Sequence, residues 1–218
     1  MKSCKPNIPE EMPPVEDLAA MVARTRECEE DIERVCVRNV QLSDLDARKV
    51  GFAGVEFDYC RLSASIFDKA SFVDVRFRDC DFSGSSFTDA YFSRCEFLTS
   101  KWVGAGFAGA LLRQSTAQGC SFQYANFDSA SLRGCVLREC DCTGAVFSNV
   151  TFREIETADN KLTAVNFFHT PLKGMDFSHD LVDGWILSEG LEELKGAIFS
   201  PFQAVDLALL LGIRIKDS

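Results

Sequence analysis

A bulky apolar side chain returns at every fifth position over most of this chain. The series runs Phe52, Phe57, Leu62, Phe67, Phe72, Phe77, Phe82, Phe87, Phe92, Phe97, Trp102, Phe107 and Leu112. It passes Ala117 and continues through Phe122, Phe127, Leu132, Leu137, Phe147, Phe152, Leu162, Phe167, Leu172 and Phe177. A helix repeats every 3.6 residues and a strand every two, so this period belongs to neither. Self-similarity at a fixed spacing is the mark of a repeat architecture. Two positions before each bulky residue stands a small one, as at Cys60, Ser65, Ala70, Cys80, Ser85, Ala90, Ser100 and Ala105. One large and one small inward side chain, separated by one outward residue, fit a very short extended segment. The remaining positions carry most of the polar and charged residues and must turn a corner before the next unit.

Units such as Cys80-Asp81-Phe82-Ser83-Gly84, Ala125-Asn126-Phe127-Asp128-Ser129 and Ala145-Val146-Phe147-Ser148-Asn149 resemble the pentapeptide repeat family. The pattern of that family is a small residue, any residue, Leu or Phe, then two polar or small residues. Counting centres from Val37 to Leu187 at steps of five gives about 31 units. The resemblance implies an all-β solenoid, a right-handed quadrilateral β-helix with four units per coil and short α-helical caps at both ends. At the ~4.8 Å spacing of stacked strands, nearly eight coils make a tower roughly 37 Å tall. Steps of twenty then sort the centres into columns. One is almost all rings: Ala47, Phe67, Phe87, Phe107, Phe127, Phe147, Phe167, Leu187. Another is broken at Ala117 and Thr157, where packing gaps are expected. Asn160 and Asp180 fall in small inward slots and make the later coils less regular. Gly54, Gly84, Gly104, Gly109, Gly134 and Gly144 fall at corners.

The ends divide from the repeats. Residues 1–34 are expected to be an acidic N-terminal segment with a capping helix, 35–190 the β-helix, and 191–218 the C-terminal cap. Near the N-terminus Leu18, Met21 and Val22, with Val15, form one helical face. After Leu187 the register breaks, and Leu194 and Phe199 restart it in a shifted frame. Ser200 as N-cap, Pro201 at the first helical position and Gly212 as stop then predict a helix. Its residues Phe202, Val205, Leu207, Leu209, Leu210 and Leu211 cover more than one face. One face closes the last coil, and the surplus marks a second contact. This ending resembles the C-terminal helix of pentapeptide repeat proteins that dimerise end to end, so a homodimer through these residues is expected.

Composition narrows the chemistry. Ten cysteines would suit a disulfide framework, but Cys60, Cys80, Cys95, Cys120, Cys135 and Cys140 occupy small inward slots and Cys142 a centre. They are expected to stay reduced and to pack as small hydrophobes. His169 and His179 are the only histidines and offer no ligand pair at structural-zinc spacing, so no metal site is expected. There is no glycine-rich phosphate loop and no nucleophile elbow, hence no catalytic residues, no cofactor and no enzyme activity are expected. The formal net charge of −10 argues against direct nucleic-acid binding. Met1 to Glu11 lacks a signal-peptide pattern and no run is apolar enough to span a membrane, so a cytoplasmic location is the default expectation.

Two functions remain. One is a non-enzymatic, rod-like protein-interaction module whose partner is unassigned. The alternative is what the family resemblance implies for Qnr-type and MfpA-type members: a DNA mimic that binds DNA gyrase, a bacterial type II topoisomerase, and gives quinolone resistance or toxin immunity. The uninterrupted register lacks the loop insertions of many Qnr-type proteins. The wall through Phe57, Phe77 and Phe97 is the more acidic, and the wall through Phe72, Phe92 and Leu112 is net basic. Glu56, Asp58, Glu96, Glu156, Asp159 and Asp176 are the candidate acidic contacts of such a partner-binding face.

Overall fold

Each five-residue unit builds one side of a coil, and four sides bring the chain back over its own path twenty residues later. The computed structural model describes residues 5–28, 30–210 and 213–214. They form a parallel β-solenoid of about eight coils with a short helix at each end. The first wall stacks Asp31–Glu33, Gly51–Ala53, Ser71–Val73, Tyr91–Ser93, Leu111–Arg113, Ser131–Arg133 and Thr151–Arg153 in that order. The second wall stacks Cys36–Arg38, Glu56–Asp58, Arg76–Arg78, Glu96–Leu98, Thr116–Gln118, Val136–Arg138 and Glu156–Ala158. Register is a strict step of twenty, so Phe52 pairs with Phe72, and Phe57 with Phe77. On the other two walls, isolated bridges such as Asp81 to Lys101 and Ser86 to Gly106 replace most strands. There each inward centre closes a tight turn. The Ser85 N–H donates to the Phe82 carbonyl at 3.1 Å, and Ala90 to Phe87 at 3.1 Å. The turn shortens the extended stretch to a single paired residue.

The corner follows the centre by two residues and lies in the left-handed region. All six glycines expected at corners have positive φ, from 64° at Gly54 to 67° at Gly84. So do Tyr59 at 53°, Arg94 at 52° and Thr99 at 47°. An L side chain held there costs about 1–2 kcal/mol. The ladder offsets that cost. The N–H groups of Tyr59, Arg94 and Thr99 donate to the carbonyls of Arg78, Arg113 and Gln118 in the next coil, at 3.0, 3.0 and 2.9 Å.

Four columns of side chains meet on the axis. Around one coil Phe82, Phe87, Phe92, Phe97 and Trp102 touch in turn, and Trp102 stacks back on Phe82 at 4.6 Å. The ring column is parallel-stacked from Phe67 to Phe147, with centroids 5.0, 5.1, 4.6 and 4.7 Å apart. The column through Phe57, Phe77 and Phe97 stops at Ala117. Apolar cavities of about 30 Å³ lie at both of its breaks, one lined by Ala117 and Leu137, the other by Thr157 and Phe177.

The small inward slot has a second task. Its N–H points across the coil junction, and a polar side chain twenty residues on accepts from it. The Cys80 N–H donates to Ser100 Oγ at 3.0 Å, Ser65 to Ser85 Oγ at 3.1 Å, and Val150 to Thr170 Oγ1 at 2.9 Å. The hydroxyls of Ser85 and Thr170 then donate to the carbonyls of Leu62 and Phe147, at 2.8 and 2.6 Å. Cys60, Cys80 and Cys95 make the equivalent thiol contacts with Val37, Phe57 and Phe72. Small polar residues in this slot therefore satisfy buried backbone groups that a larger apolar residue would leave bare.

The ends interlock with the coils. Cys36 and residues 13–15 exchange backbone bonds, Val15 N–H to Cys36 carbonyl at 2.9 Å and Cys36 N–H to Pro13 carbonyl at 3.0 Å. This covers the lower edge of the second wall. Helix α1 (Leu18–Cys28) follows, capped by Asp17, whose carboxylate accepts from the Ala20 N–H at 3.0 Å. It buries Leu18 and Val22 under the first coil, and Met21 packs beside them. At the far end the chain gains two residues. Phe177 N–H donates to the Ile198 carbonyl at 2.9 Å, and Phe199 stacks on Phe177 at 5.6 Å, a step of 22 instead of twenty. The buried Glu193 fills the resulting kink and accepts from the N–H groups of His169 and Ser188 at 2.9 and 3.1 Å. Helix α2 (Pro201–Leu210) closes the tower. No helix among the described residues is long and apolar enough to cross a membrane.

Two substitutions test this account. Phe107 is fully buried between Phe87 and Phe127, so Phe107→Ala is expected to cost about 3–5 kcal/mol in denaturant unfolding. A loss under about 1 kcal/mol would mean that the column collapses to fill the gap. Ser100→Ala removes the acceptor for the buried Cys80 N–H and is expected to cost about 1–3 kcal/mol, with Ser100→Cys milder because Cys80 itself serves Cys60. Equal stability of the alanine variant would show that this N–H is satisfied elsewhere.

Candidate interaction surfaces

The second wall carries the candidate acidic face, and its pairing register decides what that face presents. Outward residues flank each inward centre. One row reads Glu56, Arg76, Glu96 and the other Arg38, Asp58, Arg78, each in register from coil to coil. Opposite charges therefore alternate along both rows. Arg76 donates through Nε to Glu96 at 2.8 Å and through Nη1 to Glu56 at 3.3 Å. Arg78 donates to Asp58 at 2.9 Å and to Glu56 at 3.2 Å, and Arg38 reaches Asp58 at 2.9 Å. Asp58 is only 3% exposed. Burial raises its pKa, but the guanidinium groups of Arg78 and Arg38 outweigh that and hold it below the usual aspartate range.

The structure thus gathers Glu56, Asp58 and Glu96 into one charge lattice and separates the other three candidates from it. Glu156 lies half-buried further up the wall, 3.7 Å from Arg138. Asp159 is an exposed left-handed corner at φ 59°. Asp176 is exposed and accepts from the Ser178 N–H at 3.0 Å. The residues that single-position reading passes over are Arg38, Arg76 and Arg78. Their signal is present in the sequence as sign alternation at a step of twenty.

The C-terminal end presents a different surface. Ser200 and Gln203 form a reciprocal capping box. The Ser200 N–H donates to Gln203 Oε1 at 2.7 Å and the Gln203 N–H to Ser200 Oγ at 3.4 Å. Gln203 Nε2 also donates to the carbonyls of Phe177 and Asp180, at 2.8 and 2.7 Å. One side chain therefore caps α2 and fastens it to the last coil. This orients the helix with Leu207 partly covered, Val205 44% exposed and Phe202 87% exposed. Ile198 and Ile186 add exposed apolar area at this end of the tower. The side chains of Leu209 and Leu210, and Leu211 altogether, lie outside the described residues.

Elsewhere the surface offers little for chemistry. An open notch of about 670 Å³ separates α1 from the first coil, bounded by Arg26, Asp31 and Arg48. Its two arginines are both paired with Asp46, at 3.0 and 2.7 Å. Among the described residues no group of three or more His, Cys, Asp or Glu side chains is arranged to hold a metal ion.

Model descriptions of known families match this architecture directly. A pentapeptide repeat region matches residues 30–107, and a model of eight pentapeptide repeats matches residues 103–138 and 125–155. The chain belongs to the pentapeptide repeat family. Among solved structures, a trypsin-treated form of QnrB1, a plasmid-mediated fluoroquinolone resistance protein, is 19% identical with a TM-score of 0.44. That match covers 86% of this chain and 92% of QnrB1. HetL, a pentapeptide repeat protein involved in heterocyst differentiation regulation from the cyanobacterium Nostoc sp. strain PCC 7120, is 14% identical with a TM-score of 0.27. Its match covers 83% of this chain and 96% of HetL. No curated protein matches the chain.

Within this pentapeptide repeat tower Asp180 is a carboxylate only 6% exposed and held by hydrogen bonds. Asp180 takes a small inward slot and accepts from the Asn160 N–H at 2.8 Å and the Thr157 hydroxyl at 2.7 Å. Asn160 passes the chain on, accepting from the Cys140 N–H at 2.9 Å and donating to the Leu137 carbonyl at 3.1 Å. Burial raises the Asp180 pKa, and the hydrogen bonds from Thr157 and Asn160 only partly oppose it. Below the ordinary aspartate value of about 3.9 both folded and unfolded chains hold this proton. As pH rises from there through the raised folded value, only the folded chain still holds it, so stability falls across that window. Asp180→Asn is therefore expected to gain stability relative to the unmodified protein as pH rises from about 4 to 7. Thermal unfolding at several pH values measures this, and parallel curves for the two proteins would remove Asp180 as the cause.

Proposed function

We propose that this protein acts without chemistry of its own, as a rigid rod-like interaction module that pairs end to end with a second copy through α2. The observation that carries the reading is the exposed apolar stripe at the closed end of the tower, where Phe202 is 87% and Val205 44% exposed. The opposite face of the helix already closes the last coil through Gln203. Among the described residues nothing further covers the stripe. A twofold axis at this end would set the same helix from each copy against the other and double the length of the rod.

The interaction-module reading stands ahead of gyrase-directed DNA mimicry for an electrostatic reason. Duplex DNA presents a phosphate charge for every ~1.7 Å of its axis, without interruption by positive groups. Here Glu56, Asp58 and Glu96 are matched by Arg38, Arg76 and Arg78 along the same rows.

Light scattering on the purified protein is expected to give twice the chain mass of 24.2 kDa at micromolar concentration. Phe202→Asp is expected to give a folded species of single-chain mass, because Phe202 contributes nothing to the core. A monomeric unmodified protein would remove the end-to-end pairing. Added to a bacterial type II topoisomerase in a supercoiling assay, the protein is expected to leave the reaction unchanged. Inhibition that survives neutral controls would favour the DNA-mimic reading instead.

A further inference from the structure

The first wall treats charge in the opposite way from the second. In the lower coils the arginine at the corner beside this wall is paired: Arg94 donates to Asp74 through Nε at 2.7 Å and through Nη2 at 2.5 Å. Above that, Arg113, Arg133 and Arg153 stand directly over one another, each pair in strict ladder register. All three are exposed. Of the three, Arg133 alone forms an ion pair among the described residues, with Glu154 at 3.9 Å, and both of those side chains are themselves about 60% exposed. Like charges directly opposite in a sheet destabilise it. The second wall shows that this repeat can alternate sign at the same spacing and avoid that cost.

Beside the arginine row runs the other outward row of the same wall, Leu111, Ser131 and Thr151. The two rows enclose a shallow groove of about 260 Å³ along the tower axis. One side of it is cationic, and the other offers two hydroxyls and an apolar residue that is 43% exposed.

We propose that this groove binds an extended acidic segment of a partner protein, with carboxylates on the arginine row and an apolar side chain against Leu111. The ladder spans roughly 10 Å over three rungs, and an extended chain places side chains on one face every ~6.7 Å. Two or three carboxylates therefore fall within reach of three flexible guanidinium groups, each able to take a carboxylate through two parallel hydrogen bonds. A nucleic acid fits less well. The whole chain carries a net charge of −10, and Glu154 stands beside the upper part of the patch, 3.9 Å from Arg133. A long polyanion would run past the three arginines onto a net negative surface, whereas a short segment stays within about one Debye length of the arginines. Leu111 also has a counterpart in a peptide and none in a phosphate backbone.

The probe is a fluorescein-labelled peptide of alternating Glu and Ser with one central Leu, followed by fluorescence anisotropy at low and at physiological salt. Its comparison is a single-stranded oligonucleotide of equal net charge. The peptide is expected to bind more tightly than the oligonucleotide. Joint Arg113→Gln, Arg133→Gln and Arg153→Gln substitution is expected to weaken peptide binding by about tenfold or more. Leu111→Ser is expected to weaken it, and Arg138→Gln on the second wall to leave it unchanged. Without peptide, Arg133→Gln is expected to melt at a higher temperature than the unmodified protein, because it relieves repulsion between rungs. A lower melting temperature would assign that arginine to the fold and overturn the proposal. So would absence of peptide binding at low salt, equal binding by the triple variant, or tighter binding of the oligonucleotide through the same three arginines.

Discussion

The tower depends on closure of the coil in twenty residues, and closure depends on the left-handed corner that follows each inward centre from Ile32 to Leu172. A corner in the ordinary right-handed or extended region would throw the next side off the square and break the vertical register. The corner is intrinsically unfavourable for Tyr59, Arg94 or Thr99, yet all three adopt it. Each is held by a backbone bond to the coil above. No single coil is stable alone, because its corners are strained and its backbone bonds lie between coils. Stability is therefore cooperative along the axis, as in other stacked repeats.

Register at a step of twenty makes every property of one coil a property of a column. In the core it places ring over ring from Phe67 to Phe147. In the small slot it places a hydroxyl or thiol where the backbone N–H of the previous coil needs an acceptor. The same slot accepts Asp180, where burial raises the pKa of the carboxyl and works against its charged form. On the surface it converts choice of charge at a single outward position into either an ion-pair lattice, as on the second wall, or a repulsive ladder, as at Arg113, Arg133 and Arg153. These contrasting rows are built by one backbone, so the difference between them lies in the side chains alone.

The two ends solve one problem differently. Both terminal coils have unpaired edges and exposed core. At the bottom, residues 13–15 add backbone bonds to the edge and α1 covers the core. At the top, a two-residue insertion lengthens the last turn, Glu193 accepts from the backbone N–H groups of His169 and Ser188, and Gln203 anchors α2. Anchoring through one polar side chain leaves the helix free to turn Phe202 and Val205 outward. The bottom cap hides its apolar residues, and the top cap displays them.

The five-residue period was enough to read the solenoid, its columns, the breaks at Ala117 and Thr157, and the frame shift before Phe199. These are local patterns: a centre, a small slot and a polar corner recur within five residues, and the backbone has one way to accommodate them. The acidic residues could be assigned to one wall by counting alone. Their neutralisation could not be seen one position at a time, because Arg78 meets Glu56 and Asp58 only after the coil has carried it past them. The exposed side of α2 was equally hidden. Its sequence is apolar on more than one face, and the choice between faces rests on Gln203 reaching two carbonyls that lie 23 and 26 residues earlier in the chain. Periodicity specified which residues share a column. Which charges cancel and which apolar face stays bare depended on contacts across coils, where distance in space and distance along the chain part company.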